Sequence, residues 1–551
     1  MRALLRRGHS DVNRRAAIGL AATLAVFAVP LRGAFGDIGG AMEEGFMLVF
    51  PERVLAGDVP NRDFLHLYGP ASLWTLALAF SVFGARIAVE RTVGAAQLLG
   101  VVLAVRSWTR PWGEATAAGC GAIAAVFALT PIGLVALPWM GAMALLLWGT
   151  LLVTRSAEGD ASSPARLAGG GGCLVGLALC YRPDLALAVG LVAAVTWRAV
   201  APRRRAVATG LLAGVVPILV HVAIAGPRPS IDGMFVDPVF RLRAGRHLPV
   251  PPSSDVLDGY LQRIAELDVL DWPAPLTVPV QIRVWFFAVV VATFLAIAAA
   301  VLAARRADRS PLGRVRAQRL AVLAALSAGV LPQAVQRPDS THLAWVSALT
   351  IAMAPVAIAE LLQSTRARDT RVSLPAGFAV VALAAVLAFP AFTLRPYAEL
   401  ARQTLGRGRT AIAVEHSGRT FYVGRADVAV AVEALAPLVE RQTESGDRLF
   451  VGPADLTRTA YVDSWLYHLF PDLDPATRYI EMDPGIADRE GSGLDGDLAS
   501  ADVALLTATW DDWVEPNASV ERGDDAAARV LAERFCLVAE QSGVALYRKC
   551  A

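Results

Sequence analysis

The sequence predicts a polytopic α-helical membrane protein, with about eleven transmembrane helices and an extracytoplasmic α/β domain at its C-terminal end. Three observations predict this fold class. The 551 residues are 55% hydrophobic and 18% charged, whereas soluble domains carry about 25% charged residues. Apolar stretches long enough to cross a bilayer recur through residues 1–393. From residue 394 to residue 551 the composition becomes that of a water-soluble domain.

The first predicted span is 15–32. It follows a basic start, as in a signal peptide, but no small-residue cleavage site comes after it, so we interpret it as a retained helix. The other predicted spans are 88–106, 115–131, 134–154, 167–181, 184–199, 206–226, 283–304, 318–335, 343–363 and 373–393.

Arginine clusters predict the orientation, because cytoplasmic loops carry the excess of positive charge. The clusters lie at 2–15, 198–205, 305–319 and 364–371. If all four are cytoplasmic, so is the N-terminus, and the loops 33–87 and 226–282 lie outside together with residues 394–551. All four clusters can lie in the cytoplasm only if the apolar segment 69–84 does not cross the membrane. We therefore predict a re-entrant or surface helix there. If 69–84 does cross, one half of 167–199 must not.

The C-terminal region alternates short apolar runs with amphipathic segments. We predict strands at 448–452, 478–482, 501–507 and 544–548, and helices at 426–445 and 524–535. Cys536 and Cys550 flank the last hairpin, and a disulfide between them would suit an extracytoplasmic compartment.

Several function classes are excluded by the sequence. A net charge of +2 and the lack of a basic patch interleaved with aromatic residues argue against nucleic-acid binding. The sequence contains no Gly-x-Ser-x-Gly, His-Glu-x-x-His, Walker or paired Cys-x-x-Cys motif.

A single lysine amid abundant alanine and arginine suggests a GC-rich bacterial genome, such as that of an actinobacterium.

The loop after the first span carries six carboxylates between residues 37 and 63. Carboxylates stripped of water cost several kcal/mol unless they have a partner. The acids therefore either keep the loop solvated or form a site beside the membrane.

The order of residues in this loop resembles the first external loop of the GT-C superfamily of integral-membrane glycosyltransferases. The similar elements are an acid after the first span, Glu43-Glu44-Gly45, a short helix, Ala56-Gly57-Asp58-Val59-Pro60, Arg62-Asp63-Phe64, Tyr68-Gly69-Pro70 and Phe83-Gly84. The resemblance is strongest over 30–110 and architectural to about residue 395. It implies transfer of a sugar, with inversion, from a polyprenyl-phosphate donor to a cell-envelope glycan or glycolipid at the outer face of the plasma membrane.

Sugar transfer needs a base, and the loop acids are the candidates. We rank Asp37 first, Glu44 second and Glu43 third; alternatively, these acids only stabilise a helix N-terminus. Asp37 and Glu44 are also candidate ligands for a divalent cation such as Mg²⁺, Mn²⁺ or Ca²⁺. GT-C enzymes commonly pair two acids closely, whereas Asp37 stands six residues before Glu43. Which acid is the base therefore stays open.

Three further residues of the loop are candidate substrate-binding residues. They are Asp63, His66 and Tyr68. Each has a structural alternative. Asp63 could pair with Arg62, His66 could be a satisfied histidine, and Tyr68 could belong to an interfacial aromatic belt.

Two turns between spans carry arginine on the predicted outer side. They are Tyr181-Arg182-Pro183-Asp184 and Arg337-Pro338-Asp339-Ser340-Thr341-His342. Because arginine grips phosphate oxygens bidentately, Arg337 and His342, with Arg182 second, are the candidates for the donor phosphate. Alternatively, each arginine pairs with its neighbouring aspartate. On the predicted topology both turns converge with the acidic loop on one face.

Two other functions compete with sugar transfer. A lipid-linked sugar transporter or flippase would need charges at mid-span and an inverted repeat, and the predicted spans show neither. A non-catalytic cell-envelope assembly protein would use the α/β domain for display, without chemistry by the loop acids.

Overall fold

The computed structural model describes residues 2–130, 133–158, 163–252, 274–306, 310–366, 370–408 and 411–550. Within the predicted loop 226–282, residues 253–273, which include Trp272, lie outside the described residues.

A helix occupies each of the eleven predicted span positions, and seven helices among the described residues are long and apolar enough to cross a membrane. The chain is thus a helical multi-span membrane protein. The helices at these positions are Arg2–Ala28, Ile87–Thr109, Glu114–Leu129, Pro138–Ala157, Pro164–Tyr181, Ala186–Thr196, Arg204–Ala225, Val278–Ala304, Pro311–Gln336, Ser340–Arg366 and Thr370–Leu387.

Shorter helices build the loops and the C-terminal region. The first loop contains Leu31–Phe35, Glu43–Ala56 and Ala71–Phe83. The second predicted external loop contains Pro227–Ile231, a π-helical segment Asp232–Arg241 and Leu242–Arg246. The C-terminal helices are Leu394–Thr404, Ala426–Gln442, Trp465–Leu469, Leu494–Ala499 and Ala526–Arg534. Single 3₁₀ turns lie at Arg110–Trp112, Pro183–Leu185, Ala201–Arg203, Pro390–Phe392 and Ala518–Val520.

Glycine lets two of the long helices approach closely. A Cβ atom at Gly172 would lie 2.3 Å from the Val207 carbonyl oxygen, and one at Gly210 would lie 1.9 Å from the Gly169 oxygen. Helices Pro164–Tyr181 and Arg204–Ala225 therefore pack backbone against backbone, as small residues allow in membranes. This packing holds the turn that carries Arg182.

The helix Ala71–Phe83 has 13 residues and is about 20 Å long, which is less than the hydrocarbon thickness of about 30 Å. Both of its flanks contact the C-terminal region. The Leu65 amide donates to the Arg478 carbonyl at 2.9 Å, and the Arg419 guanidinium donates to the Ala85 carbonyl. The two ends therefore lie on one side of the bundle, which supports the prediction that 69–84 does not cross.

The C-terminal region contains a hairpin and a five-stranded mixed sheet. The hairpin pairs β1 (Ile412–His416) with β2 (Arg419–Val423). The strands of the sheet are β3 (Arg448–Pro453), β4 (Asp474–Pro475), β5 (Val503–Thr507), β6 (Phe535–Gln541) and β7 (Val544–Lys549). Their order is β4-β3-β5-β7-β6, with β3 parallel to β4 and β5, and β7 antiparallel to β5 and β6. Cys536 and Cys550 are joined by a disulfide across β6 and β7.

One predicted strand is wrong. Residues 478–482 form no strand, because two of their backbone carbonyls accept hydrogen bonds from groups that belong to no strand. The Arg478 carbonyl accepts from Leu65 of the first loop, and the Ile480 carbonyl accepts from the Ser464 hydroxyl at 2.5 Å. The segment is therefore a buried link between the first loop and the sheet.

One hydrophobic core joins the first loop to the C-terminal region. Phe46, Phe50 and Phe64 of the loop belong to the same buried cluster as Trp465 and Leu505. Phe50 and Phe64 stack at 4.8 Å between ring centroids. The first loop thus packs into the core of the C-terminal region, while a second cluster fills the helical bundle.

Candidate functional site

A cavity of about 240 Å³ lies where the first loop, the two arginine-bearing turns and the C-terminal region meet. Its lining includes seven residues that the sequence analysis singled out as candidates or as the aspartates beside them: Glu43, Tyr68, Arg182, Asp184, Arg337, Asp339 and His342. Residues distant in sequence therefore converge on one concave site.

The turn after helix Pro311–Gln336 places Arg337 in a network of acceptors. Its Nε donates to Asp339 Oδ2 at 2.6 Å, Nη1 donates to Glu515 Oε2 at 3.0 Å, and Nη2 donates to Glu515 Oε1. Nη1 also donates to the Arg246 carbonyl. Arg337 thus joins the helical bundle to Glu515 of the C-terminal region, whose side chain has no exposed surface.

Asp339 also positions His342. Its Oδ1 accepts from the His342 amide at 2.8 Å and lies 2.7 Å from His342 Nδ1. Burial opposes ionisation of Asp339, but the charges of His342 and Arg337 outweigh it and hold the pKa of this carboxyl below its usual range. The imidazole also meets the Trp345 ring edge-on at 5.0 Å. His342 is therefore held in a fixed orientation at the cavity wall.

Arg182 follows helix Pro164–Tyr181, and only two of its three guanidinium nitrogens donate to acceptors among the described residues. Its Nε and Nη2 donate to Asp184 at 2.8 and 2.7 Å, and Nη2 also donates to Gln333 at 3.3 Å. The guanidinium lies over the Tyr68 and Trp139 rings, at 5.0 Å from each. Among the described residues, none accepts a hydrogen bond from Nη1. Both arginines thus pair with their neighbouring aspartates, and both also line the cavity.

The C-terminal region contributes a buried acidic pair to the cavity. Asp483 accepts from Arg246 Nε at 2.8 Å, and Glu481 lies beside it. Glu481 Oε2 and Asp483 Oδ2 find no hydrogen-bond partner among the described residues. Burial raises the pKa of Glu481 well above its usual value, and the charges of Asp483 and Glu43 raise it further against the opposing effect of Arg246.

Glu43 is the acid of the first loop that lines the cavity. It begins the helix Glu43–Ala56, and its Oε2 accepts from the Tyr461 hydroxyl. The Met42 amide donates to the same hydroxyl at 3.3 Å. Tyr461 therefore fixes the start of this helix against the C-terminal region.

The two acids that rank above Glu43 in the sequence analysis lie outside the cavity lining. Both Glu44 oxygens accept from Arg91, at 2.7 and 2.8 Å, and neither side chain is more than 3% exposed. Asp37 Oδ1 accepts from Gln403 Nε2 at 3.4 Å. The catalytic roles of Asp37 and Glu44 stay predictions, but Glu44 holds a structural ion pair.

Of the three candidate substrate-binding residues, the cavity includes Tyr68 alone. Asp63 pairs with Arg62 at 2.8 Å and accepts from the Val59 amide at 2.7 Å. The Arg62 side chain holds the pKa of Asp63 below its usual range. His66 is buried, with Nε2 3.3 Å from the Gly69 carbonyl, and burial lowers its pKa to about 3. Asp63 and His66 therefore make contacts that order the loop.

Of the predicted metal ligands, Glu44 does not fit a divalent cation as it stands, and the role of Asp37 stays a prediction. Arg91 occupies both oxygens of Glu44, whereas a hard cation needs oxygen ligands free to face it. Within the described residues no group of three or more His, Cys, Asp or Glu side chains could hold a metal ion.

Sequence reasoning missed several lining residues, namely Arg246, Tyr461, Glu481, Asp483 and Trp513. Glu481 lies in the segment 478–482, which the sequence analysis predicts as a strand, and Asp483 directly follows it. Two carboxylates at this spacing match no specific motif. Arg246 stood among other arginines of the second external loop. Only the packing of the C-terminal region on the first loop distinguishes these side chains from others of their type.

No protein-family model and no curated protein matches this sequence. Among solved structures, the chain is similar to ArnT from Cupriavidus metallidurans bound to undecaprenyl phosphate, at 16% identity and a TM-score of 0.48 over 97% of this chain and 98% of that one. It is also similar to the Archaeoglobus fulgidus oligosaccharyltransferase in complex with Zn and sulfate, at 12% identity and a TM-score of 0.50 over 97% of this chain and 73% of that one.

At such identities the likeness is one of fold alone, and it extends through both the helical bundle and the C-terminal region. The resemblance found in the first loop is confirmed at that level. Over almost its whole length, the chain is similar in fold to the Archaeoglobus fulgidus oligosaccharyltransferase.

Proposed function

We propose that the protein is a GT-C-type membrane glycosyltransferase that moves a sugar from a polyprenyl phosphate to a cell-envelope glycan or glycolipid. The observation that carries the proposal is the cavity itself, where arginines from two inter-helix turns face carboxylates of the first loop and the C-terminal region. The cavity would open on the outer face of the plasma membrane, opposite the arginine clusters at 2–15 and 305–319.

The donor phosphate would bind at Arg182 and His342. Arg182 Nη1 has no acceptor among the described residues, so a phosphate oxygen can be added there without displacing Asp184. Arg337 is already shared between Asp339 and Glu515. We therefore assign Arg337 to positioning His342, through Asp339, and to holding the C-terminal region over the phosphate.

The reaction would be a single displacement with inversion. The acceptor hydroxyl oxygen attacks the anomeric carbon, the bond between that carbon and the phosphate oxygen breaks, and polyprenyl phosphate leaves. The acceptor proton passes to the carboxylate pair Glu43 and Glu481, which can share one proton because like charges disfavour ionisation of both. Tyr461 holds Glu43 in place for this transfer.

The test is sugar transfer by the full-length protein in nanodiscs. The donors are undecaprenyl phosphates carrying labelled hexoses or pentoses, and the acceptor is a crude cell-envelope glycan fraction. Labelled sugar should move into the glycan fraction, and E43Q and E481Q should each lower turnover by about 100-fold or more with undecaprenyl phosphate binding retained. Full turnover in both variants would remove this carboxylate pair from the mechanism. Failure of the wild type with every donor would contradict the proposed function.

A further inference from the structure

A second cavity, of about 150 Å³, lies beside the first and is lined by aromatic residues. One wall comes from the first loop at Ile38, Gly39 and Ala41. The opposite wall comes from the β1–β2 hairpin and from residues 509–513 of the C-terminal region.

The aromatic wall is fixed by ring packing. Trp513 stacks on Tyr461 at 4.6 Å between centroids, and the Trp510 ring meets Tyr461 edge-on at 4.9 Å. Trp465 stacks on Phe421 at 4.9 Å. Rings held in this way offer a preformed apolar surface, at little cost in conformational entropy on binding.

Polar atoms without partners lie in the same wall. Asp463 Oδ1 accepts from the indole nitrogens of Trp465 and Trp510, at 2.9 and 3.0 Å. Its Oδ2 has no hydrogen-bond partner among the described residues, and neither has Trp513 Nε1. Asp463 is 2% exposed and Trp513 is 4% exposed. A buried acceptor and a buried donor left unpaired are costly, and a ligand that carries hydroxyl groups would satisfy both.

The charge of this cavity argues against a phosphate ligand. Among the described residues, Asp463 and Asp512 line it with a single cation, Arg425, which already pairs with Asp427 at 2.7 Å. Aromatic faces beside carboxylates suit a neutral sugar, because its C–H faces pack on the rings while its hydroxyls donate to carboxylate oxygens.

The second cavity adjoins the first. Trp513 lines both, and the first loop passes from one to the other between Ala41 and Met42. We propose that the second cavity binds a sugar unit of the acceptor glycan, next to the unit that receives the transferred sugar. This assignment of the acceptor subsite rests on the proposed function.

Direct binding separates this inference from the transferase activity. The probes are maltohexaose, α1,6-mannohexaose, α1,5-arabinohexaose and β-galactohexaose, titrated into the full-length protein in nanodiscs by calorimetry. At least one should bind, and W510A and D512A should weaken that binding by about tenfold or more. W197A is the matched control, since Trp197 is an exposed tryptophan packed on Arg204 and outside the residues lining this cavity.

Undecaprenyl phosphate binding is measured on the same samples. W510A and D512A should leave it unchanged, whereas R182A should lose it and keep the oligosaccharide binding. If W510A fails to fold, D512A still tests the inference, because Asp512 is exposed and its replacement should leave folding intact. No binding of any probe at concentrations up to about 10 mM, or equal binding by wild type and D512A, would overturn the acceptor subsite without touching the donor site.

Discussion

At the residue scale, the two cavity arginines are expected to differ in what their loss does. Arg182 pairs with Asp184, whose side chain is 48% exposed and can return to water. Arg337 pairs with Glu515, whose side chain has no exposed surface. We therefore expect R182A to fold normally and to lose undecaprenyl phosphate binding, and R337A to be destabilised by about 3–5 kcal/mol because it leaves a buried charge unpaired.

Thermal unfolding and lipid binding of the two purified variants check this. The double variant R337A/E515A is the control, since removing both charges should restore part of the lost stability. Equal unfolding temperatures for R182A and R337A would contradict the assignment of Arg337 to positioning.

A second residue-scale prediction concerns Glu44 and Arg91. Arg91 donates to Glu44, to the Phe35 carbonyl at 2.8 Å and to the Ala34 carbonyl, so it ties the end of the first helix to the first loop. E44A should lower the free energy of unfolding by about 3–5 kcal/mol. Loss of activity in this variant should accompany a lower unfolding temperature, whereas E43Q should lose activity with the unfolding temperature unchanged. Full stability of E44A would show that the pair is dispensable.

A third prediction concerns pH. The pKa of Glu481 is raised above its usual value of 4.5 by burial and by Asp483, so the folded state favours the protonated carboxyl. This contribution to stability is complete below about pH 4.5 and is lost as pH rises through the folded-state pKa. E481Q should therefore be more stable than wild type at pH 8, with a smaller advantage at pH 5. Unfolding temperatures measured across this range check it, and an advantage that grows toward pH 5 would contradict it.

At the element scale, the short helix Ala71–Phe83 decides the topology of the bundle. If it does not cross, Arg62 before it and Arg86 after it lie on the same side. R62C and R86C should both react with a membrane-impermeant maleimide in intact cells, because both positions are exposed. R205C, in a predicted cytoplasmic cluster, is the control and should stay unlabelled until the cells are opened. Labelling of only one of R62C and R86C would mean that this helix crosses.

Local sequence signals predicted the helices of the bundle, from apolar length, and the terminal hairpin. The β1–β2 hairpin was not predicted, although both hairpins turn at Ser-Gly pairs with positive φ at each residue, 46° and 70° at Ser417 and Gly418 and 48° and 76° at Ser542 and Gly543. The predicted strand at 478–482 is wrong because the Arg478 carbonyl accepts from the Leu65 amide of the first loop, a contact that periodicity along the chain cannot express.

At the scale of the whole molecule, the shared core makes the C-terminal region necessary for the first loop. Met47, Leu48 and Phe50 of the loop have no exposed surface, and removing residues 394–551 would uncover them as an apolar patch. The truncated protein should aggregate after detergent extraction, as judged by size-exclusion chromatography. C536S/C550S, which opens only the terminal hairpin, should remain monodisperse. A monodisperse truncation would show that the bundle folds without the shared core.

Ion pairs join helices at the end of the bundle opposite the cavity. Arg319 pairs with Glu158 at 2.9 Å, and Arg106 bonds Glu114 at 2.7 Å and the Ala16 carbonyl at 3.1 Å. These residues adjoin the predicted cytoplasmic clusters, whereas the cavity lies at the other end. Arg319, which belongs to the predicted cytoplasmic cluster 305–319, thus also joins two helix ends.

The sequence by itself determined the membrane class, the positions of the spans, the GT-C resemblance and the convergence of Arg182, Arg337 and the first loop on one face. These depend on the length of apolar segments, on the charges between them and on local motifs, and each of these is a property of residues close together in the sequence. Only the tertiary structure decided that Glu43, rather than Glu44, lines the cavity, since Arg91 holds Glu44 in a buried ion pair whereas Glu43 contacts Tyr461 at the cavity. It alone brought Glu481, Asp483 and Trp513 to the site, because their placement depends on a core shared by segments about 400 residues apart.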